Sequence, residues 1–319
     1  MAALARALAA TLAACCRSAA PTTRRVGTAP AALKKLPATR DLDGVAQLLE
    51  GGARCVVMLG AGASVAAGLP DFRTPGTGLY DTLELSGLPY PEAVFELALF
   101  RQNPQPFYEL AKALWPSEAS KPTKAHKLVK RLADRNQLVR CYTQNIDSLE
   151  KAAGVPAEFV VAAHGNFDGA TCIATGQKVD AEALRRAILE DSVDAFNAQN
   201  GGLCKFDIVF FGEALPDRFW ATLNEDFDDA ELLLVVGTSL EVHPFASLID
   251  LGAMPRALIN RERVGERQPD VAFPPAFGKA SGGFNFTDAA PVPRDVFLQG
   301  DADATVVALV DRAGWAPLQ

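Results

Sequence analysis

Arg54-Cys55-Val56-Val57-Met58-Leu59-Gly60-Ala61-Gly62-Ala63-Ser64 is the stretch on which the reading of this chain turns. Five consecutive apolar residues without alternation read as a strand covered on both faces. They run at once into a turn of small residues. The same succession recurs along the chain. Leu138–Thr143 runs into Gln144-Asn145-Ile146-Asp147, and Phe159–Ala163 into His164-Gly165. Asp207–Phe211 runs into Gly212-Glu213, and Glu231–Val236 into Gly237-Thr238-Ser239. Arg256–Ile259 runs into Asn260-Arg261, and Val296–Leu298 into Gln299-Gly300-Asp301. Apolar residues at three- and four-residue spacing predict helices over Pro91–Phe100, Lys124–Ala133 and Phe245–Leu251. Strands alternating with helices predict an α/β chain, Rossmann-like, with a mostly parallel sheet and helices on both faces. Such sheets bind ligands outside the carboxyl ends of their strands. One crevice can therefore gather these polar strand ends, although a strand end is also polar wherever it merely meets water.

The 319 residues are 49% hydrophobic and 22% charged, with a net charge of −7. That suffices for one large domain or two modest ones and excludes a disordered or collagen-like chain. The acidic balance argues against a general nucleic-acid binder. After the N-terminus no uncharged apolar run approaches the ~18 residues of a spanning helix, so no membrane partner is expected. The charge is uneven. Arg6, Arg17, Arg24, Arg25, Lys34, Lys35 and Arg40 precede the first acid, Asp41. The remaining 24 basic residues against 38 acidic ones leave −14. A basic, acid-free, Ala-rich leader over residues 1–36 reads as an organellar transit peptide, with Arg6 and Arg17 on one helical face. A mitochondrial address is expected; a plastid address, a secretory signal ending near Ser18-Ala19-Ala20 and a plain tail are the rivals. Six scattered Cys do not resemble a disulfide framework.

The domain organisation follows from one break in the pattern. Residues 37–168 and 207–319 carry the sheet. Residues 169–206 are polar, with Gly176, Gly201 and Gly202 around a helical stretch, Ala181–Asn197. They read as a small inserted subdomain. Gly265–Pro293, rich in Pro and Gly, reads as a long surface loop.

Gly60 and Gly62 let backbone approach a pyrophosphate, and a following helix would aim its first N–H groups at it. The dehydrogenase fingerprint fails, because Val65 stands where its third small residue belongs, and the Gly-Lys-Ser/Thr of a P-loop is missing. On the turn alone, dinucleotide binding and a structural turn both stay open. Gly68-Leu69-Pro70-Asp71-Phe72-Arg73 adds an acid and a phosphate-pairing Arg, and Thr74-Pro75-Gly76-Thr77-Gly78-Leu79-Tyr80 a loop able to close as a lid.

With those residues in view the chain resembles the sirtuins, NAD-dependent protein deacylases. The matching motifs are GAGASVAAGLPDFR (Gly60–Arg73), TPGTGLY (Thr74–Tyr80), YTQNID (Tyr142–Asp147), HG (His164-Gly165), DIVFFGE (Asp207–Glu213), GTSLEVHPFA (Gly237–Ala246) and INRE (Ile259–Glu262). They stand in the family's order across residues 40–315, and the unbroken DFR and TPGTGLY resemble the deacetylase-type class.

The resemblance implies a Rossmann-type domain plus a small zinc-bearing one, with NAD and an acetylated or acylated lysine protein between them. It assigns Ala61, Gly62, Ser64, Asp71, Phe72, Arg73 and Tyr80 to NAD, and Gln144, Asn145, Ile146 and Asp147 to the nicotinamide and ribose pocket. Gly237, Thr238, Ser239, Asn260, Arg261, Asp301 and Ala302 would hold the adenosine half. Val209, Phe210, Phe211, Gly212, Glu241 and Val242 would bind the peptide as an added strand, with Val209 and Phe210 walling the acyl-lysine tunnel. Ordinary core packing is the expected role for one of Phe210 and Phe211. In the implied reaction the acyl oxygen attacks C1′ of the nicotinamide ribose and nicotinamide leaves. Asn145 and Asp147 orient ring and ribose, and His164, the family's general base, draws a proton from the ribose hydroxyl. Phe72 would keep water out. The products are free lysine, nicotinamide and 2′-O-acyl-ADP-ribose. His126 reads as structural, and His243 receives no catalytic role.

The family's four zinc cysteines are not kept. Their positions fall on Cys172, Thr175, Asn197 and Asn200, with Cys204 out of register. One thiolate in four predicts no zinc. That departure threatens stability more than mechanism. It also keeps two further readings open beside the deacetylase: mono-ADP-ribosyl transfer, and an NAD-binding regulator with weak turnover.

Overall fold

The computed structural model describes residues 37–69, 88–115, 120–267, 282–287 and 293–319. The leader, residues 1–36, lies outside the described residues. The elements, in chain order, are α1 (Leu42–Glu50), β1 (Cys55–Leu59), α2 (Leu97–Gln102), α3 (Gln105–Leu114), α4 (Lys124–Asp134), β2 (Leu138–Thr143), α5 (Leu149–Ala152), β3 (Val160–Ala162) and β4 (Gly165–Cys172). Then follow β5 (Lys178–Val179), α6 (Ala181–Leu189), α7 (Val193–Gln199), β6 (Cys204–Ile208), α8 (Asp217–Asp229), β7 (Leu232–Val236), β8 (Arg256–Asn260), β9 (Asp295–Gln299) and α9 (Ala302–Arg312).

Six strands form one sheet in the order β3-β2-β1-β7-β8-β9, every pairing parallel. All residues of β1 and β7 are buried, as strands covered on both faces must be. Successive side chains point to opposite layers. Val57, Leu59, Leu234 and Val236 pack with α1, α4 and α9 through Leu49, Leu128, Leu132 and Leu309. Val56, Met58, Leu233 and Val235 pack with α8 through Phe219, Leu223 and Phe227. Each large side chain so buried contributes about 2 kcal/mol. The order reverses between β1 and β7, so the crevice belongs at the ends of those two strands.

A second, antiparallel sheet, β5-β4-β6, carries α6 and α7. Its core joins Phe206, Leu184 and Ile188 to Phe100, Phe107 and Tyr108 of α2 and α3. The module thus recruits helices from well before the insertion.

Several expectations are corrected. The run Asp207–Phe211 is not a strand of the parallel sheet; the strand is β6, ending at Ile208. Beyond it the Glu213 carboxylate accepts the Phe210 N–H at 2.7 Å, and Phe211 makes an isolated parallel bridge to Glu96 rather than joining the six-stranded sheet. Among the described residues no α-helix follows the GAGAS turn directly. Two short 3₁₀ turns stand there, Ala61–Ala63 and Val65–Ala67, closed by left-handed Gly68 at φ 80°. The stretch Ala181–Asn197 is two helices, broken at Asp191 with φ 52°. Phe245–Asp250 is a 3₁₀ segment, and Pro91–Phe95 is another that precedes α2. The loop after Gly265 is not all surface: Phe284 is 1% exposed and packs in the core, under the Arg256 guanidinium 4.8 Å from its ring.

Candidate active site

The strand ends meet through glycine. Gly60 N–H donates to Val236 O at 3.0 Å, and Gly62 N–H to Gly237 O at 2.8 Å. A Cβ on Gly60 would lie 2.5 Å from Gly237 O, and one on Gly237, at φ 62°, 2.5 Å from Ala63 N. The turns after β1 and β7 therefore interlock. The amides of Gly62, Ala63 and Ser64 donate to Gly237, Gly60 and Ala61 carbonyls, so the expected helix end aimed at a pyrophosphate is replaced by a self-bonded turn. Gln144, after β2, closes the third side: its Nε2 donates to Thr238 Oγ1 at 2.6 Å.

Asn145 and Asp147 meet the same turn. Asn145 Nδ2 donates to Gly60 O at 3.0 Å and Ser64 Oγ at 3.1 Å. Ser64 Oγ donates to Asp147 Oδ2 at 2.6 Å, and Leu149 N–H donates to Asp147 Oδ1 at 2.9 Å. Asn145 is buried, whereas Asp147 and Gln144 are half-buried and reach the crevice. Ile146 packs against the core of the small module.

His164 follows β3 directly. Its Nδ1 donates to Gln144 O at 3.2 Å. That assignment leaves Nε2 with a lone pair, the form a general base requires. Burial holds its pKa below the ordinary imidazole value, and the backbone bond to Gln144 opposes that only in part. The ring lies 6.1 Å from that of Phe245. The His164 carbonyl accepts Val209 N–H at 2.8 Å, which ties this residue to the segment after β6.

The ends of β8 and β9 form the far side. Gly237 N–H donates to Ile259 O and Gly300 N–H to Asn260 O. Arg261 pairs with Asp301 at 3.3 Å, and Asp301 caps α9 just before Ala302. Ser239 is exposed and Ala61 half-buried. Asp71, Phe72, Arg73 and Tyr80 lie outside the described residues.

The peptide positions divide. Phe210 is 1% exposed, with its ring 4.7 Å from that of Phe107, and is core packing; Phe211, 42% exposed, faces solvent. The Val209 and Phe211 amides donate to His164 and Phe95 carbonyls, and Glu213 takes the Phe210 amide. These three donors are therefore committed within the chain. Glu241 is exposed and Val242 half-buried, on the loop after β7.

Sequence reasoning missed three residues here. Glu150 is fully buried beside Asp147, Thr143 Oγ1 accepts Asn145 N–H at 3.1 Å, and Thr123 Oγ1 donates to Ala63 O at 2.7 Å. The available signal was Glu150 one helical turn after Asp147.

Comparison with known proteins now decides the family. The Sir2 family model matches residues 60–244, which include both interlocked turns and His164. The chain belongs to the Sir2 family. It is 44% identical over 263 residues to the NAD-dependent deacetylase sir2A of Dictyostelium discoideum, covering 82% of this chain and 49% of that protein. This chain thus spans about half the length of that relative. It is 41% identical over 288 residues to the NAD-dependent protein deacetylase hst2 of Schizosaccharomyces pombe, covering 89% of this chain and 80% of that one. To the NAD-dependent protein deacetylase sirtuin-3 of Mus musculus it is 44% identical over 278 residues, 86% and 76% of the two chains.

For a Sir2 fold the small module is unusual, because its residues do not fit a zinc ion. Asn197 is buried: its Oδ1 accepts Cys204 N–H at 2.9 Å and its Nδ2 donates to Tyr108 Oη at 3.2 Å. Tyr108 in turn donates to Cys204 O at 2.7 Å. Asn200 Nδ2 donates to Phe196 O at 2.8 Å, and Thr175 Oγ1 accepts Gln177 N–H at 3.2 Å. Only Cys172 and Cys204, facing partners on β4 and β6, offer sulfur. Two thiols do not close a tetrahedral site.

Proposed function

We propose that the protein is an NAD-dependent protein-lysine deacetylase working at the carboxyl ends of β1, β2, β3 and β7. The observation that carries this is the contact of His164 Nδ1 with the Gln144 carbonyl at 3.2 Å: a carbonyl can only accept, so the ring's Nε2 keeps its lone pair, and the contact ties His164 to the turn that bears Asn145 and Asp147. The donor set fits a dinucleotide. A small-residue turn, an amide and a carboxylate suit a ribose and a carboxamide better than a metal or an apolar ligand. Bound NAD supplies the electrophilic C1′ and nicotinamide as leaving group. The chain's residues do the rest. Asn145 is held by two bonds from its own Nδ2, which leaves Oδ1 to accept from a ligand. Asp147, braced by Ser64, presents negative charge to ribose hydroxyls. His164 takes the hydroxyl proton, at a pKa its burial keeps low enough for the ring to be neutral at pH 7.

Acetylated lysine proteins are the expected substrates, entering beside Phe211 and the loop at Glu241-Val242. The test is nicotinamide release with and without an acetyl-lysine peptide. Release that depends on peptide supports the deacetylase. Release without peptide, with label transferred to protein, replaces it by ADP-ribosyl transfer, and NAD binding with no release replaces it by a regulator. The basic leader supports delivery to mitochondria. A fluorescent fusion of residues 1–40 that stays cytosolic would refute that address.

A further inference from the structure

Glu150 and His126 are 1% and 0% exposed. Among the described residues, Glu150 Oε1 and His126 Nε2 are fully buried polar atoms without a hydrogen-bond partner. Ligand-type atoms of His126, Glu150 and Asp147 all lie within 4.8 Å of one another. Three elements converge to make this cluster: α4, the turn after β2, and α5. A buried acid and a buried imidazole would be replaced with profit by apolar side chains if only packing were at stake. Their position on the buried side of a site carboxylate calls for another explanation.

We propose that Glu150 and His126 are positioning residues: as hydrogen-bonding groups behind Asp147 they fix the orientation of that carboxylate and of Asn145 toward the nicotinamide ribose. The inference rests on the functional reading above. Glu150 reaches both residues. Its carboxyl takes a hydrogen bond from the Thr143 side chain, and Thr143 Oγ1 holds the Asn145 amide. One of its carboxylate oxygens lies within 4.8 Å of ligand-type atoms of both Asp147 and His126. Burial first, and then the neighbouring Asp147 carboxylate, pushes the Glu150 acid up to about 7. Burial likewise keeps His126 neutral, against the opposing pull of Asp147 and Asp303. His126 Nδ1 lies 2.8 Å from Thr123 Oγ1, which donates to Ala63 O in the glycine turn. The cluster therefore joins the β1 turn to the β2 turn from beneath. A bound cation would use the same three groups, so the test must separate the two.

Glu150→Gln keeps a neutral hydrogen-bonding group of the same shape; Glu150→Leu removes it. Glu150→Leu is expected to slow single-turnover nicotinamide release by at least about tenfold, the loss usual when a supporting residue is removed. ADP affinity, which reads the adenosine half, should stay within about twofold, and Glu150→Gln should release within about threefold of wild type. In an Asp147→Asn background Glu150→Leu should add less than about twofold. An unaffected Glu150→Leu, a Glu150→Gln as slow as Glu150→Leu, or full additivity with Asp147→Asn overturns the proposal. So does a stoichiometric divalent metal in the purified wild type that Glu150→Gln loses. Should Glu150→Leu fail to fold, His126→Leu carries the same expected loss, and normal release from it is equally fatal. If the wild type releases no nicotinamide even with peptide, the functional reading fails first. The same cycle read on NAD affinity then still decides the positioning role, with additive losses refuting it.

Discussion

The crevice between β1, β2 and β7 and the module of β4, β5 and β6 use the same side chain for opposite ends. In the crevice Asn145 spends its Nδ2 on Gly60 O and Ser64 Oγ and keeps Oδ1 for a ligand. In the module Asn197 spends both ends internally, on Cys204 N–H and Tyr108 Oη. The first amide is held ready; the second is a rivet where the sirtuin pattern has a thiolate. The lesson is that an amide, a phenol and a core of Phe100, Phe107 and Phe206 hold together the stretch where the sirtuin pattern has its thiolates. Chemistry is less forgiving, because an imidazole tautomer has no such substitute.

The sharpest way to break this contrast is at its catalytic end. His164→Ala should reduce peptide deacylation by at least about a hundredfold, the usual worth of a general base. NAD affinity measured by calorimetry should hold within about twofold, since the ring supplies no bond to the glycine turns. Undiminished deacylation would end the assignment. At the structural end, Asn197→Leu strands the Cys204 amide and takes a donor from the Tyr108 hydroxyl, which keeps its bond to Cys204 O. A loss of about 2 kcal/mol, or roughly 5 °C in melting temperature, is expected, with turnover per folded molecule kept. Lost turnover at an unchanged melting temperature would reverse the roles given to the two regions.

A smaller effect is set by acidity. With His164 as the base proposed above, the neutral ring is the active form, so deacylation should rise with pH and level off once the ring is deprotonated. Burial lowers its pKa below the ordinary 6.5, so the midpoint of that rise in kcat should fall below 6.5. A midpoint above it would mean the ring is exposed or paired with an anion. The smallest expected effect is none: dialysis against a chelator should move the thermal midpoint by less than about 1 °C, where loss of a structural zinc would remove several kcal/mol. A large drop would return a metal to the module.

The parallel sheet was legible because buried strands leave uninterrupted apolar runs, and β1, β2 and β7 fall within one residue of the stretches read for them. The run at Asp207–Phe211 misled because Phe210 is apolar for the module's sake, packed on Phe107, rather than for a strand's. The helix expected after Ser64 was misplaced because glycines in close approach to another turn look, in one dimension, like glycines in approach to a phosphate. Phe284 was invisible inside a Pro-rich loop, since a single anchoring ring has no period. At the site, strand-end position pointed to His164, Asn145 and Asp147. Glu150 and His126 could not be recognised that way, because an acid on a helix is ordinarily solvated. Only the three-dimensional convergence of α4, α5 and the β2 turn shows them buried.

The clearance between Gly60 and Gly237 reaches into the chain's history. A methyl group on either would overlap main-chain atoms of the other turn at 2.5 Å, so each position is held to glycine by backbone that no change of its counterpart's side chain would move. Anyone remodelling this crevice for a different dinucleotide would have to leave the pair alone and seek variation in the side chains around it, since substituting both glycines together only adds one overlap to the other.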